Sequence, residues 1–233
     1  MKTLQQYIDE SLDKIPGTQY GSNDGGIHVD SDTGKKYYIK KYHNPDQAKV
    51  ESLTGKIYNH MGIHTLNPEM HGHDHIKTEW NEHVGTKGPN FYDSPSKKHA
   101  DQLGKMYHAA ILTKNWDIAG LEHDNIVHNK KTDDLHAIDH GGAFHFRAQG
   151  GAKEYGPDIS EKESLRNPHN ASGHIFNAAF KRHPESEKHG LDAVKNMNDD
   201  HIHGLFKNSG LSNWKDLHSN FMERKKNLIN SYK

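Results

Sequence analysis

Apolar residues at helical spacing alternate with short β-type runs along the chain. Leu4, Ile8, Leu12 and Ile15 predict a helix over residues 3–15, ended by Pro16-Gly17. Ile27 and Val29 then alternate with polar neighbours, Asp32-Thr33-Gly34 forms a turn, and residues 36–42 are β-rich. Residues 18–42 therefore predict a hairpin around a glycine turn. Val50, Leu53 and Ile57/Tyr58 share one face of a helix over 45–61, with Pro45 in its first turn. Residues 64–84 predict short strands and loops, with 80–84 as a connection between lobes.

The second half changes character. Leu103, Met106/Tyr107, Ala110 and Ile111 form the stripe of a helix over 96–113. Residues 115–125 predict a loop, and 126–128 with 135–138 a short hairpin around a Lys-Lys-Thr-Asp-Asp turn. Residues 147–170 are rich in Gly and Pro and predict irregular structure. Helices are expected at 172–181, 187–197, 199–207 and 211–231, the last with Trp214, Leu217, Phe221 and Leu228 facing the core. The layout predicts an α+β, two-lobed fold: a β-rich N-lobe over 1–84 and a mainly helical C-lobe over 85–233.

Composition narrows the classes. The 233 residues suffice for a packed two-lobed core, although only 31% are hydrophobic. No run of ~18 apolar residues exists, so no membrane span is expected. The first residues lack the apolar core of a signal peptide. Cysteine is absent, which excludes disulfides and thiolate metal sites and suits a reducing cytoplasm. Thirty Lys+Arg against 31 Asp+Glu argue against a general nucleic-acid binder. The 22 histidines are the oddity, and they make net charge climb as pH falls through their range.

Three segments carry the candidate chemistry. In the first, Gly21-Ser22-Asn23-Asp24-Gly25-Gly26 can let backbone N–H groups approach phosphates. Lys40 lies on the following strand, where alternation puts it on one face with Tyr38. Such a lysine can reach α- and β-phosphates, and Glu51 on the next helix can hold it in place. The second is the loop after the long helix, where Asp117 can accept a hydroxyl proton. Asn125 in that loop can ligate Mg²⁺ through a hard oxygen. The third is Ile138-Asp139-His140-Gly141-Gly142, in which Asp139 can supply a second Mg²⁺ ligand. The hairpin between Asn125 and Asp139 would bring these ligands together. Asp124 is a rival for the base. Phe144 and Phe146 would pack on one face, with Arg147 at the start of a loop.

His71-Gly72-His73-Asp74-His75 raises a zinc reading, because His71, His73 and His75 would share one face of a strand. It resembles the His-x-His-x-Asp-His motif of metallo-β-lactamase-like hydrolases but lacks one residue between His73 and Asp74.

These segments together resemble a protein-kinase-like family, in its HipA-like and phosphatidylinositol-kinase-like branches. The resemblance is closest to small kinase-like proteins of bacteriophages and bacteria. Its counterparts here are Gly21–Gly26, Tyr37–Lys40, Glu51, Trp116–Ile126, Ile138–Gly142 and Phe146–Gly150, within residues 15–170. The resemblance implies ATP and Mg²⁺ as cofactors and Gly21, Ser22, Asn23, Gly25 and Gly26 as the phosphate-binding turn. It also implies Lys40 held by Glu51, Asp117 as base, Asn125 and Asp139 as metal ligands, and a protein substrate. One departure stands out. Kinases place Asn five positions after the catalytic Asp, where this chain has eight between Asp117 and Asn125 and puts Gly120 at the five-back position. The implied activity is a Mg²⁺-ATP-dependent phosphotransferase acting on a protein hydroxyl. The alternatives are a pseudokinase serving as a nucleotide-binding or interaction module, and a kinase-fold AMP transferase.

Overall fold

The computed structural model describes residues 12–20 and 23–233. Strands β1 (Leu12–Lys14), β2 (Gly25–Asp30), β3 (Lys36–Lys41), β4 (Glu69–His71) and β5 (His75–Glu79) form an antiparallel sheet of order β1-β2-β3-β5-β4. Leu12 pairs with Asp30, Gly25 with Lys40, and Lys40 in turn with Ile76. Helix α1 (Pro45–His60) crosses between β3 and β4. Asn44 caps it by accepting from the Asp46 N–H, and Pro45 needs no partner in the first turn.

A second, three-stranded sheet joins β6 (Val84–Thr86), β7 (Ile126–Asn129) and β8 (Asp134–Ala137). Around it stand α2 (Lys97–Thr113), the single turn α3 (Glu161–Ser164), α4 (Ala171–Arg182), α5 (Glu185–Lys195), α6 (Asp199–Lys207) and α7 (Trp214–Asn230). Helix α2 is the spine of this half. Leu103, Met106, Tyr107, Ala110 and Ile111 are all fully buried, and burial of a large apolar side chain contributes about 1.5–3 kcal/mol. Ser96 caps its start by accepting from the His99 N–H at 3.2 Å. Arg224 of α7 is buried too, paired with Glu161 and donating to the Ile111 carbonyl, so it ties α7, α3 and α2 together. One contiguous core runs from α1 through these helices and β7–β8.

Several expectations need correction. Leu12–Lys14 is a strand paired with β2 rather than the end of a helix, and residues 1–11 lie outside the described residues. Gly25 and Gly26 belong to β2 itself rather than to the turn before it. The His71–His75 segment is a β-hairpin turn, not one strand. Gly72 has φ +69°, and His71 and His75 pair across the turn. The three histidines therefore share no strand face. Pro89–Tyr92 forms a 3₁₀ turn ahead of α2.

Candidate active site

The site lies in a cleft of about 340 Å³ between the larger sheet and the β7–β8 hairpin, a volume within the range of small-ligand sites. Its walls include Tyr20, Leu66, Ile76, Trp80 and Val127, with Lys40, Glu51, Asn125 and Asp139 among the polar groups. Tyr38 and Lys40 face the cleft together, as strand alternation requires.

Lys40 is the hub of the polar wall. Its Nζ is 2.9 Å from Glu51 Oε2 and 2.8 Å from Asp139 Oδ1. The lysine comes from β3, the glutamate from α1, and the aspartate from the segment after β8. Burial alone would push the Lys40 ammonium down, but the Glu51 and Asp139 carboxylates outweigh it and hold the pKa well above its ordinary value. Asp139 is held below the usual carboxylate range, chiefly by the Lys40 charge. Its backbone is left-handed at φ +54°, which is uncommon for a non-glycine residue and typical of functional sites.

Two residues missed in the sequence support this hub. Tyr42, fully buried, donates its hydroxyl to Glu51 Oε2. The same ring lies against Gly141, where a Cβ would come within 2.2 Å of Tyr42 Oη. Gln47 of α1 donates to the carbonyls of Gly141, at 3.2 Å, and Ala148, also at 3.2 Å. Together they fasten α1 to the segment carrying Asp139. The neighbouring His140 ring packs on Tyr58 at 4.8 Å, and burial pushes its pKa down to about 4, so it is neutral at pH 7.

The loop after α2 brings Asp117 and Asn125 together across its extra residues. Asn125 Nδ2 donates to the Asp117 carbonyl at 2.7 Å and to Asp117 Oδ2 at 3.2 Å. Gly120 makes the bulge possible. It has φ +72°, and a Cβ there would meet Asp124 Oδ1 at 2.0 Å and the Asn125 nitrogen at 3.0 Å. Burial raises the Asp117 carboxyl to about 6, and the Asp139 charge pushes the same way. Asp124 is exposed and lines the cleft.

Beside Asp117, the half-exposed Trp116 ring is surrounded by cations. Lys153 Nζ lies 4.7 Å from its centroid, Lys114 Nζ 5.6 Å and the Arg147 guanidinium 5.8 Å. Lys153 also donates to the Gly142 carbonyl at 2.7 Å, and burial pushes its ammonium down to about 7.

Of the expected phosphate-binding turn, Gly21 and Ser22 lie outside the described residues. Asn23 and Asp24 lead into β2, and Gly25 and Gly26 lie buried within it. Tyr20 stacks on Trp80 at 5.8 Å and donates its N–H to Tyr38 Oη at 3.0 Å, so the stretch before the turn covers one end of the cleft.

A small antiparallel sheet lobe, a cleft and a helical lobe define a kinase-like fold. The crystal structure of a Helicobacter pylori proinflammatory kinase, CtkA, superposes with a TM-score of 0.58 at 13% identity, over 94% of each chain. At that identity the likeness shows the fold alone. Cex1p, at a TM-score of 0.31 and 14% identity over 100% of this chain and 46% of its own, carries no argument. No protein-family model and no curated protein matches the chain.

Proposed function

We propose that this protein is a Mg²⁺-ATP-dependent phosphotransferase whose acceptor is a hydroxyl group of a protein. The observation that carries the reading is Lys40 held between Glu51 at 2.9 Å and Asp139 at 2.8 Å on the wall of the interlobe cleft. A lysine fixed by a helix glutamate positions α- and β-phosphates. Tyr20, Leu66, Ile76, Trp80 and Val127 offer apolar walls for a purine base.

Asp139 and Asn125 provide the hard oxygens that suit Mg²⁺. When bound, the ion would neutralise charge on the β- and γ-phosphates. Asp117 would take the acceptor's proton as the acceptor oxygen bonds to the γ-phosphorus and the bond to the ADP oxygen breaks. Its pKa near 6 suits a base that is ionised at neutral pH yet retains proton affinity. The Asn125–Asp117 hydrogen bonds also favour an active enzyme over a pseudokinase, because the longer loop still delivers both residues to one place.

Transfer from labelled ATP tests the reading. Mg²⁺-dependent incorporation from γ-labelled ATP into the protein or an added acceptor, lost in Lys40→Ala and Asp117→Asn, is expected. Incorporation of the α-label instead would make the protein an AMP transferase. Nucleotide binding without either transfer would make it a pseudokinase.

A further inference from the structure

A second cluster of ligating atoms lies at the far end of the β7–β8 hairpin. His99 comes from the first turn of α2, His128 from β7, and Asp133 from the turn before β8. His128 Nε2 is 2.8 Å from Asp133 Oδ1, and His99 Nε2 is 3.2 Å from the same oxygen. The Asp133 carbonyl is a further oxygen at that point, 3.1 Å from His99 Nε2. The three side-chain ligand atoms all lie within 4.8 Å of one another, the one such His/Cys/Asp/Glu group among the described residues. In a tetrahedral zinc site, ligand atoms are about 3.3 Å apart, given Zn–N and Zn–O bonds near 2.0–2.1 Å. Closing the cluster around an ion therefore needs only small side-chain rotations.

We propose that His99, His128 and Asp133 form a binding site for Zn²⁺ or a similar late first-row divalent ion. Two imidazoles and one carboxylate are the donor set that selects such ions over Mg²⁺. The imidazoles are only 8% and 10% exposed while Asp133 is 61% exposed, so the open coordination position faces solvent and an entry path exists. The donors are also held in place. Asn129 Oδ1 accepts from the Lys131 N–H at 2.9 Å, and the Asp133 N–H donates to the Asn129 carbonyl at 2.8 Å, which fixes the turn. The Phe91 ring packs against both imidazoles, with centroids at 5.4 and 5.3 Å.

Two neighbours temper the affinity. The Lys98 ammonium is near Asp133, although it donates to the Thr132 carbonyl at 2.8 Å and pairs with Asp134 at 2.9 Å. His128 Nδ1 is buried without a hydrogen-bond acceptor, so the ring proton that metal binding places there is unsupported. Both features weaken the site relative to one whose ligands have a complete set of hydrogen-bond partners. It would clamp the hairpin turn to α2, at the opposite end of the hairpin from Asn125 and Asp139.

The test is competition of Zn²⁺ between the full chain and a chromophoric chelator, with thermal unfolding in parallel. The variants are Asp133→Asn, which keeps a side chain tolerant of the left-handed φ of +58°, and His128→Gln. His73→Gln, in the other histidine-rich turn, is the control for surface binding. The wild type and His73→Gln are expected to hold one equivalent of Zn²⁺ and to melt higher with it. Both site variants should bind at least ~10-fold more weakly, as expected on losing a ligand. Absence of a stoichiometric equivalent above the surface-histidine background, or its retention by either site variant, would overturn the proposal.

Discussion

Asn125 reaches back eight positions to Asp117, donating to its carbonyl at 2.7 Å and to its carboxylate at 3.2 Å. The loop between them is longer than the kinase pattern, yet its ends meet because Gly120 turns the chain at φ +72°. A Gly120→Ala substitution would place a Cβ 2.0 Å from Asp124 Oδ1 in a backbone conformation costly for alanine. The expected outcome is a loss of about 1–3 kcal/mol in urea unfolding together with a fall in kcat. Unchanged kcat would separate the bulge from the chemistry.

In the proposed role of Asp117 as base, catalysis and stability would depend on its ionisation with opposite signs. Its folded pKa is raised to about 6 from an ordinary 3.8, so the folded state holds that proton more tightly than the unfolded chain. The resulting stabilisation is fully present below pH 4 and is lost as pH rises through 6. Above pH 7 the ionised carboxylate is a liability, and Asp117→Asn should stabilise the ligand-free protein by about 1–2 kcal/mol while abolishing transfer. Below pH 4 the gain should vanish. Melting curves of the two proteins at pH 8 and pH 4 measure it, and an Asn variant no more stable at pH 8 would contradict the burial assigned to Asp117.

Glu51 is held by two partners, the Lys40 ammonium and the Tyr42 hydroxyl. Glu51→Gln keeps the hydrogen bond to Tyr42 but removes half of the charge facing Lys40. A loss of about 3 kcal/mol is expected, at the low end for breaking a buried pair because Asp139 remains. With Lys40 less firmly placed, KM for ATP should rise. Urea unfolding and steady-state kinetics check the two effects separately.

His108, on α2, shows how the histidine content shapes acid stability. It is fully buried, with Nδ1 2.8 Å from the Gly104 carbonyl, and burial pushes its pKa down to about 4. Its folded pKa lies below the unfolded value of 6.5, so the unfolded chain takes up a proton first as pH falls. Stability is therefore lost between pH 6.5 and 4, by about 3 kcal/mol from this residue. His108→Gln should flatten that part of the urea midpoint against pH. An unaltered slope would assign the acid sensitivity to other histidines.

The parts of the site that were legible are those whose roles follow from spacing along one element. Lys40 and Tyr38 share a strand face, Glu51 sits on the adjoining helix, and the hairpin carries Asn125 and Asp139 at its ends. Tyr42 and Gln47 were not legible, because their roles arise only when α1 packs on the segment around Gly141. Leu12 has helical periodicity with Leu4, Ile8 and Ile15 in the sequence. Pairing with β2 overrides that local preference. The cluster of His99, His128 and Asp133 was invisible for the same reason as Tyr42: His99 is distant in sequence from the His128–Asp133 pair and meets it only through the packing of α2 on the hairpin.

The central claim, a Mg²⁺-nucleotide site built on Lys40 and Asp139, is tested most directly by calorimetric titration with ATP in the presence and absence of Mg²⁺. Wild type, Lys40→Ala and Asp139→Ala are compared. Mg²⁺-dependent binding by the wild type is expected, weakened by roughly 10–100-fold in each variant, the loss of one charge-assisted contact. No binding at millimolar ATP by well-folded protein, or equal binding by all three, would contradict it.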